Sequence, residues 1–259
     1  MHPLVMGIVN VTPDSFSDGG RYVDPVQAVA HARSLIVQGA DVIDVGGESS
    51  RPGAAAVSEA EELDRVLPVV AALAGEVRVS IDTAKAAVAH AAVDAGATLV
   101  NDITATLHEV AAERGVGWVA MHMQGEPRTM QDRPAYDDVV AEVLAHLVAR
   151  AEAAGAAGVA EVWIDPGIGF GKRPEHNWAL LAALPRLVAT GWPVAVGTSR
   201  KAFLGALLGR VDGGDGPTDA DDRLEGSIAT ATLAAEAGVG MVRVHDVAAT
   251  VGALRAVAA

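Results

Sequence analysis

Residues 165–172 read Asp-Pro-Gly-Ile-Gly-Phe-Gly-Lys, and three glycines followed by a lysine suggest a loop that binds phosphate. The spacing fits neither standard phosphate motif. A Walker A loop needs four residues between its glycine and Gly-Lys-Ser/Thr, and a dinucleotide fingerprint needs a third glycine where this chain has Lys172. We therefore interpret the segment as the loop that follows a strand ending at Asp165. A solvated loop lysine is then one interpretation of Lys172.

Polar side chains also end seven other apolar segments that are rich in valine and isoleucine. The eight segments are 4–11, 40–47, 77–82, 97–103, 117–123, 161–167, 193–199 and 240–246. Each is nearly continuous rather than alternating, which is typical of strands buried on both faces. The polar groups at their ends are Asn10, Asp44 with Glu48, Asp82, Asn101 with Asp102, His122, Asp165, Ser199 with Lys201, and Arg243 with His245. Helix caps, as expected of Thr83 and Thr104, would not explain so many acids, amides and cations together.

Helical stretches separate these segments, for example at 137–154 and 222–237. Glycines occupy the expected C-cap positions of several helices: Gly39, Gly96, Gly155, Gly191 and Gly238. Eight strands alternating with helices predict a (β/α)8 TIM barrel, one domain over residues 1–259, with a doubly wound open sheet as the alternative. Since the active sites of such barrels lie at the C-terminal ends of the strands, the polar groups are expected to meet at one mouth.

The residue types at this mouth indicate the ligand. Asp82, Asn101 and Asp165 offer carboxylate and amide groups suited to a heterocycle with several donors. Arg243 and His245 lie two apart on a strand, so both point to the same face and could bind an anion. The sequence therefore predicts a site for a polar heterocycle joined to a phosphate.

Composition excludes several classes of function. The chain has 19 basic and 33 acidic residues and a net charge of −14, which disfavours nonspecific binding to nucleic acid or to an anionic membrane. With no cysteine, it can have no disulfide, thiolate zinc site or cysteine nucleophile. The first residues lack the features of a signal peptide, and no apolar run is long enough to span a membrane. We expect a cytoplasmic protein with no nucleic-acid or membrane partner.

The longer motifs resemble those of one family, dihydropteroate synthase. In chain order they are NVTPDSFSDGG, GGESSRPGA, SIDT, NDI, MHMQGEPRTMQ, DPGIGFGK, GTSRK and RVHD. The similarity extends from about Met6 to Val247. It implies the condensation of 6-hydroxymethyl-7,8-dihydropterin diphosphate with 4-aminobenzoate to give 7,8-dihydropteroate and diphosphate, as well as a homodimer formed through barrel helices.

The resemblance also assigns roles to individual residues. It implies that the pterin is bound by Asp82, Asn101, Met121, Asp165, Phe170 and Lys201. It places the diphosphate on Asn10, Ser50, Arg243 and His245, with Mg²⁺ as the cofactor on Asn10. It places 4-aminobenzoate on Phe16, Arg51, Pro52, Lys201 and Ala202. The catalytic residues would be Asp82, Lys201 and Arg243. Glu48 is expected to be structural or loop-orienting, and His122 to be either a buried barrel histidine or a ligand contact.

The chain departs from the family pattern in two places. The segment after Ile103 is shorter than usual, and Ala202 stands where many members have a serine. Two alternatives therefore stay open, a pterin-binding paralogue without turnover and a methyltetrahydrofolate:corrinoid methyltransferase-like barrel. A paralogue without turnover would show damaged loop motifs, but TPDSFSDGG and ESSRPG are intact. A corrinoid methyltransferase would have no use for the SRPG and SRK motifs.

Overall fold

The computed structural model describes residues 2–12, 24–49, 56–211 and 216–258. Eight strands form one sheet, and every pairing in it is parallel. The strands are β1 Leu4–Asn10, β2 Val42–Gly46, β3 Arg78–Asp82, β4 Leu99–Asp102, β5 Gly117–Met121, β6 Val162–Asp165, β7 Ala195–Val196 and β8 Met241–Val244. All eight lie within the segments predicted from the sequence.

Helices follow the strands in turn. They are α1 Pro25–Val37, α2 Glu59–Leu73, α3 Ala86–Asp94, α4 His108–Arg114, α5 Val139–Ala156, α6 Pro174–Ala182, α7 Leu184–Val188, α8 Ala202–Val211, α9 Leu224–Glu236 and α10 Val247–Val257. A short 3-10 helix, Ala220–Asp222, precedes α9. In the part of the chain that the structure describes, no helix is both long and apolar enough to cross a membrane.

The sheet closes on itself between its two end strands. Strand order runs β6-β5-β4-β3-β2-β1-β8-β7, and a parallel bridge joins Ile164 of β6 to Val194, just before β7. The Ile164 amide donates to the Pro193 carbonyl at 2.9 Å. This confirms the (β/α)8 barrel and excludes the open doubly wound sheet.

Alternation along the strands separates two apolar regions. Outward-facing side chains such as Val9, Ile43 and Val100 pack under the helices in the larger core cluster. Inward-facing side chains from seven strands form a smaller apolar layer inside the barrel, which we call the floor: Met6, Val42, Leu99, Val119, Trp163, Ala195 and Met241. Functional side chains on the inner face can therefore lie only above this floor, at the C-terminal ends of the strands.

Two local predictions were wrong. Gly155 lies within α5, which extends to Ala156, and Gly158, with φ of +94°, follows the C-cap Ala157 instead. Thr83 and Thr104 do not cap helices. Thr83 donates to Glu62 at 2.7 Å, and Thr104 donates to Asp102 at 2.6 Å.

Candidate active site

A layer of polar side chains lies directly above the floor. Asp44, Ser80 and Asn101 occupy inward-facing positions in the middle of the barrel and are buried. Asp165 is also buried at the end of β6, and Arg243 lies on β8, one residue before its end. Asp44, Asn101 and Arg243 are thus brought together in the interior, whereas Asp102, which the sequence also placed at the mouth, faces outward.

Arg243 lies between two carboxylates. Its Nε donates to Asp44 Oδ2 at 2.6 Å, and its Nη2 donates to Asp82 Oδ2 at 2.6 Å. Burial alone would lower the pKa of Arg243, but Asp44 and Asp82 raise it above its ordinary value. Asn101 Nδ2 also donates to Asp44 Oδ2, at 2.9 Å. Asp44 therefore holds both a predicted pterin contact and a predicted diphosphate contact from below.

Asp82 faces the same interior space. Burial raises the pKa of its carboxyl to about 7, Arg243 acts in the opposite direction, and Asp44 adds to the increase. Gly46 of β2 lies beside Asp82 in the sheet, and a Cβ at position 46 would lie 3.4 Å from Asp82 Cβ. A carboxyl with a pKa near 7 beside a fixed guanidinium can stabilise a cation that develops in the site.

Asp165 and Lys201 form the second part of the site. Asp165 Oδ1 accepts the Gly167 amide at 2.7 Å, and burial raises the pKa of this carboxyl while Lys201 opposes the shift. Burial lowers the pKa of Lys201 to about 8. The Lys201 ammonium donates to the Ile168 carbonyl and lies 4.6 Å from the centre of the Phe170 ring. A flat ring, a buried carboxylate and a lysine thus share one corner of the mouth.

The remaining described site predictions lie around this mouth. Asn10 ends β1, and its backbone is level with Gly46. Met121 is buried at the end of β5, in register with Asp165. His245 pairs with Ser199 through Nδ1 and Oγ at 3.0 Å. Ala202 is exposed at the first position of α8.

Four predicted residues, Phe16, Ser50, Arg51 and Pro52, lie outside the described residues. Ser50, Arg51 and Pro52 belong to the segment 50–55, which the structure does not describe. Glu48 and Val57 lie on either side of this segment, and the Glu48 carboxylate accepts the Val57 amide at 3.0 Å. Lys85 donates to Glu48 and to the buried Glu62, both at 2.5 Å. Glu48 is therefore a loop-orienting residue, as predicted.

The loop after β4 is held by an outward-facing carboxylate. Asp102 accepts the backbone amides of Thr104, Thr106 and Leu107 at 2.7–2.9 Å. It also accepts the indole N–H of Trp118 at 3.2 Å. This carboxylate fixes the start of α4, and it does not point into the site.

Sequence reasoning missed a clamp next to Lys201. Arg200 has a φ of +58°, and its side chain donates to Asp246 at 2.7 and 3.1 Å, so the segment after β7 is tied to the segment after β8. The Arg200 amide donates to Ser227 Oγ at 2.9 Å, and its carbonyl accepts from Arg223 at 2.9 Å. Only its position before Lys201 could have drawn attention to it.

We expect Arg200→Lys to lower the unfolding free energy by about 1 kcal/mol and the melting temperature by about 2–4 °C, because a lysine cannot donate to both Asp246 oxygens in this geometry. The control is Arg33→Lys. Arg33 holds Glu76 at 2.7 and 3.1 Å with the same two-pronged geometry, but the side chains are 55% and 42% exposed, against 32% and 23% for Arg200 and Asp246. The control should leave the melting temperature close to that of the wild type, because an exposed ion pair contributes little to stability. Equal melting temperatures for the two variants would contradict a clamp at Arg200.

Known proteins are similar to this chain over nearly its whole length. A family model described as pterin binding enzyme matches residues 6–245. The dihydropteroate synthase of Mycobacterium leprae is 49% identical over 264 residues, which cover 98% of this chain and 92% of the relative. A solved structure of Xanthomonas albilineans dihydropteroate synthase with 4-aminobenzoic acid superposes with a TM-score of 0.90 at 49% identity, covering 100% of this chain and 94% of the other. The Xanthomonas albilineans dihydropteroate synthase in complex with 7,8-dihydropteroate gives a TM-score of 0.87 at 46% identity, with the same coverage.

Proposed function

The chain belongs to the pterin binding enzyme family, and on this premise we propose that it catalyses the dihydropteroate synthase reaction. It is a transferase that joins 6-hydroxymethyl-7,8-dihydropterin diphosphate to 4-aminobenzoate. The observation that carries the proposal is the corner formed by the buried Asp165 and the half-buried Lys201 and Phe170 above the floor. It offers the carboxylate and the flat aromatic face that suit a pterin ring, and relatives at 49% identity carry this activity in their names.

The proposal assigns Asp165 to the amino and N–H edge of the pterin. A buried carboxylate accepts two parallel hydrogen bonds from such an edge, and a buried donor left unpaired would cost about 1–3 kcal/mol. Asn101, Asp82 and Met121 complete the ring contacts. Phe170 and Lys201 cover the ring, since the lysine already lies over the aromatic face.

The chemical step follows from the charges around the reacting carbon. The C–O bond between the pterin methylene and the diphosphate breaks, and the bonding electrons leave with the diphosphate. The neutral aromatic amine forms the new C–N bond and then loses a proton, so no strong base is required. Asp82 stabilises positive charge on the methylene, and Arg243 stabilises negative charge on the leaving oxygens.

Diphosphate binding is proposed at Asn10, Arg243 and His245. A guanidinium has five N–H donors, so Arg243 can hold Asp44 and Asp82 and still donate to an anion. The amide oxygen of Asn10 fits Mg²⁺, which commonly takes one or two protein ligands and fills its other positions with water and substrate phosphate. When bound, Mg²⁺ supplies positive charge that offsets the charge of the diphosphate.

The first turn of α8 is proposed as the site for the aminobenzoate carboxylate. Helix N-termini favour anions, and Ala202 begins this helix beside Lys201. We expect Ala202→Ser to lower the KM for 4-aminobenzoate about 2–10-fold with little change in kcat, because one hydroxyl adds one hydrogen bond to a charged acceptor. Steady-state kinetics would measure this effect. An unchanged or higher KM would contradict a carboxylate at this position.

A diphosphate-release assay tests the proposed function directly. We expect release to depend on both the pterin diphosphate and 4-aminobenzoate, and 7,8-dihydropteroate to appear in equal amount. A paralogue without turnover would bind the pterin and release nothing. A corrinoid methyltransferase-like protein would ignore 4-aminobenzoate and act on a methylated folate instead.

A homodimer and a cytoplasmic location complete the proposal. Leu207 and Val211 of α8 and Leu233 of α9 expose 36%, 72% and 55% of their surface, so these two helices offer apolar area for a second copy. Light scattering would measure the assembly.

A further inference from the structure

Lys172 is buried, with only 3% of its surface exposed, so its interpretation as a solvated loop lysine is wrong. Its ammonium nitrogen has three acceptors: His122 Nδ1 at 2.9 Å, the His122 carbonyl at 3.2 Å and the Phe170 carbonyl at 3.0 Å. A lysine ammonium has three N–H donors, so all of them are used. A buried lysine with a complete set of partners is rare and calls for a reason.

Lys172 joins two loops that together enclose the proposed pterin corner. The loop after β5, residues 122–138, and the loop after β6, residues 166–173, touch backbone to backbone. A Cβ on Gly171 would lie 2.2 Å from the Gln124 carbonyl oxygen. Tyr136 donates to the Gly171 carbonyl at 2.9 Å, and Gln131 donates to the Gly169 carbonyl. Lys172 adds a charge to this set of uncharged links.

Ionisable groups surround Lys172 from several elements. Asp165 of β6 favours its charge and Lys201 opposes it, while burial is the main cause that lowers the pKa of Lys172 to about 7. Burial together with Lys172 and His146 of α5 lowers the pKa of His122 to about 3, so His122 is neutral. His176 of α6 also has a lowered pKa, mainly through burial.

We propose that Lys172 is a positioning residue for the pterin site, which fixes the loop after β5 to the loop after β6 and places a positive charge near Asp165. This inference rests on the proposed function, since it deepens the account of the same pocket. Asp165 must be ionised to accept two hydrogen bonds from the pterin edge. Burial raises the pKa of Asp165, and Lys201 and, to a smaller extent, Lys172 oppose this rise, so the Lys172 cation favours the ionised form.

The surroundings of Lys172 can satisfy it in either protonation state. As an ammonium it donates to both carbonyls and to His122 Nδ1. As a neutral amine it donates to the two carbonyls and accepts from His122 once the imidazole carries its proton on Nδ1. A loss of charge therefore leaves the loops connected, and the effect of the charge on pterin binding can be measured apart from the effect of the link.

The experiment is calorimetric titration with 6-hydroxymethyl-7,8-dihydropterin, which lacks the diphosphate and so reports on the pterin corner alone. We expect Lys172→Gln to weaken binding about tenfold at pH 6, where wild-type Lys172 is charged. At pH 8.5 the wild-type lysine has also lost most of its charge, so the ratio of the two dissociation constants should shrink at least about threefold. A ratio that stays constant with pH, or one near unity throughout, would overturn the proposal.

A control variant and a second measurement support this test. Tyr136→Phe removes an uncharged link between the same loops and should change affinity less than about threefold, with no pH-dependent ratio. If Lys172→Gln does not fold, the pKa of Lys172 can be measured instead by NMR titration of wild-type protein with ¹⁵N-labelled lysine, with and without the pterin. By linkage, a pterin that binds the charged form tenfold better raises the pKa of Lys172 by about one unit. A pKa that does not move on pterin binding would overturn the proposal.

The outcomes also separate this inference from the proposed function. Wild-type protein that binds no pterin would overturn both together. Protein that binds pterin and releases diphosphate, but shows no pH-dependent ratio and no pKa change, would overturn the role of Lys172 alone.

Discussion

Asp165→Asn is expected to weaken binding of the pterin diphosphate by about 10²–10⁴-fold. Two hydrogen bonds to a charged acceptor contribute about 1.5–3 kcal/mol each, and the asparagine would also turn a donor toward the donors of the pterin. The fold should persist, because asparagine can still accept the Gly167 amide that Asp165 accepts at 2.7 Å. Calorimetric titration in the absence of 4-aminobenzoate measures the affinity, and thermal unfolding checks the fold.

Asp94→Asn is the control for this change. Asp94 pairs with Arg114 on the surface, and its side chain is 61% exposed. It should bind the pterin diphosphate as wild type does. If Asp165→Asn bound within threefold of wild type, the pterin edge would have to be recognised elsewhere in the mouth.

Gly167→Ala is expected to lower the unfolding free energy by about 2–6 kcal/mol and to abolish pterin binding. The backbone φ of Gly167 is +63°, and an added Cβ would lie 1.9 Å from the His122 carbonyl oxygen. The left-handed backbone costs about 1–3 kcal/mol for alanine, and separating the two loops adds about 1–3 kcal/mol more. Thermal unfolding should show a melting temperature lower by about 5–20 °C.

Gly115→Ala is the control for this change, because it carries the cost of the left-handed backbone without a steric clash. Gly115 ends α4 with a φ of +64°, and no atom lies within 4 Å of its added Cβ. The variant should have an unfolding free energy only about 1–2 kcal/mol lower than that of the wild type, and it should keep full pterin binding. Similar melting temperatures for the two variants would mean that the loops after β5 and β6 can separate at little cost.

The strands and the polar ring were predictable because both are encoded locally. A parallel barrel buries both faces of each strand, so each strand appears as a continuous apolar segment. Its end is marked by a polar residue, such as Asp82 or Asp165. The end of α5 was not predictable in this way. Gly155 and Gly158 lie within one turn of each other, and the sequence does not show which of them is inside the helix and which follows its end.

The partners of the charged residues could not be predicted from the sequence. Arg243 and Asp44 are 199 positions apart in the chain, and Lys172 and His122 are 50 apart. Loop composition alone suggests that a lysine after three glycines is solvated. It is buried because the tight turns at Gly167 and Gly171 bring the backbone of one loop against the other, and only the folded structure shows that contact.

The floor makes the barrel a well with one opening. Among the described residues, seven apolar side chains fill its lower end, so substrates are expected to enter and leave at the opposite end. The pterin position proposed at Asp165 is the deepest in this well, and diphosphate and 4-aminobenzoate share the opening above it. The product that contains the pterin cannot leave until the diphosphate nearer the mouth has left. The release of diphosphate is therefore a candidate for the step that limits turnover.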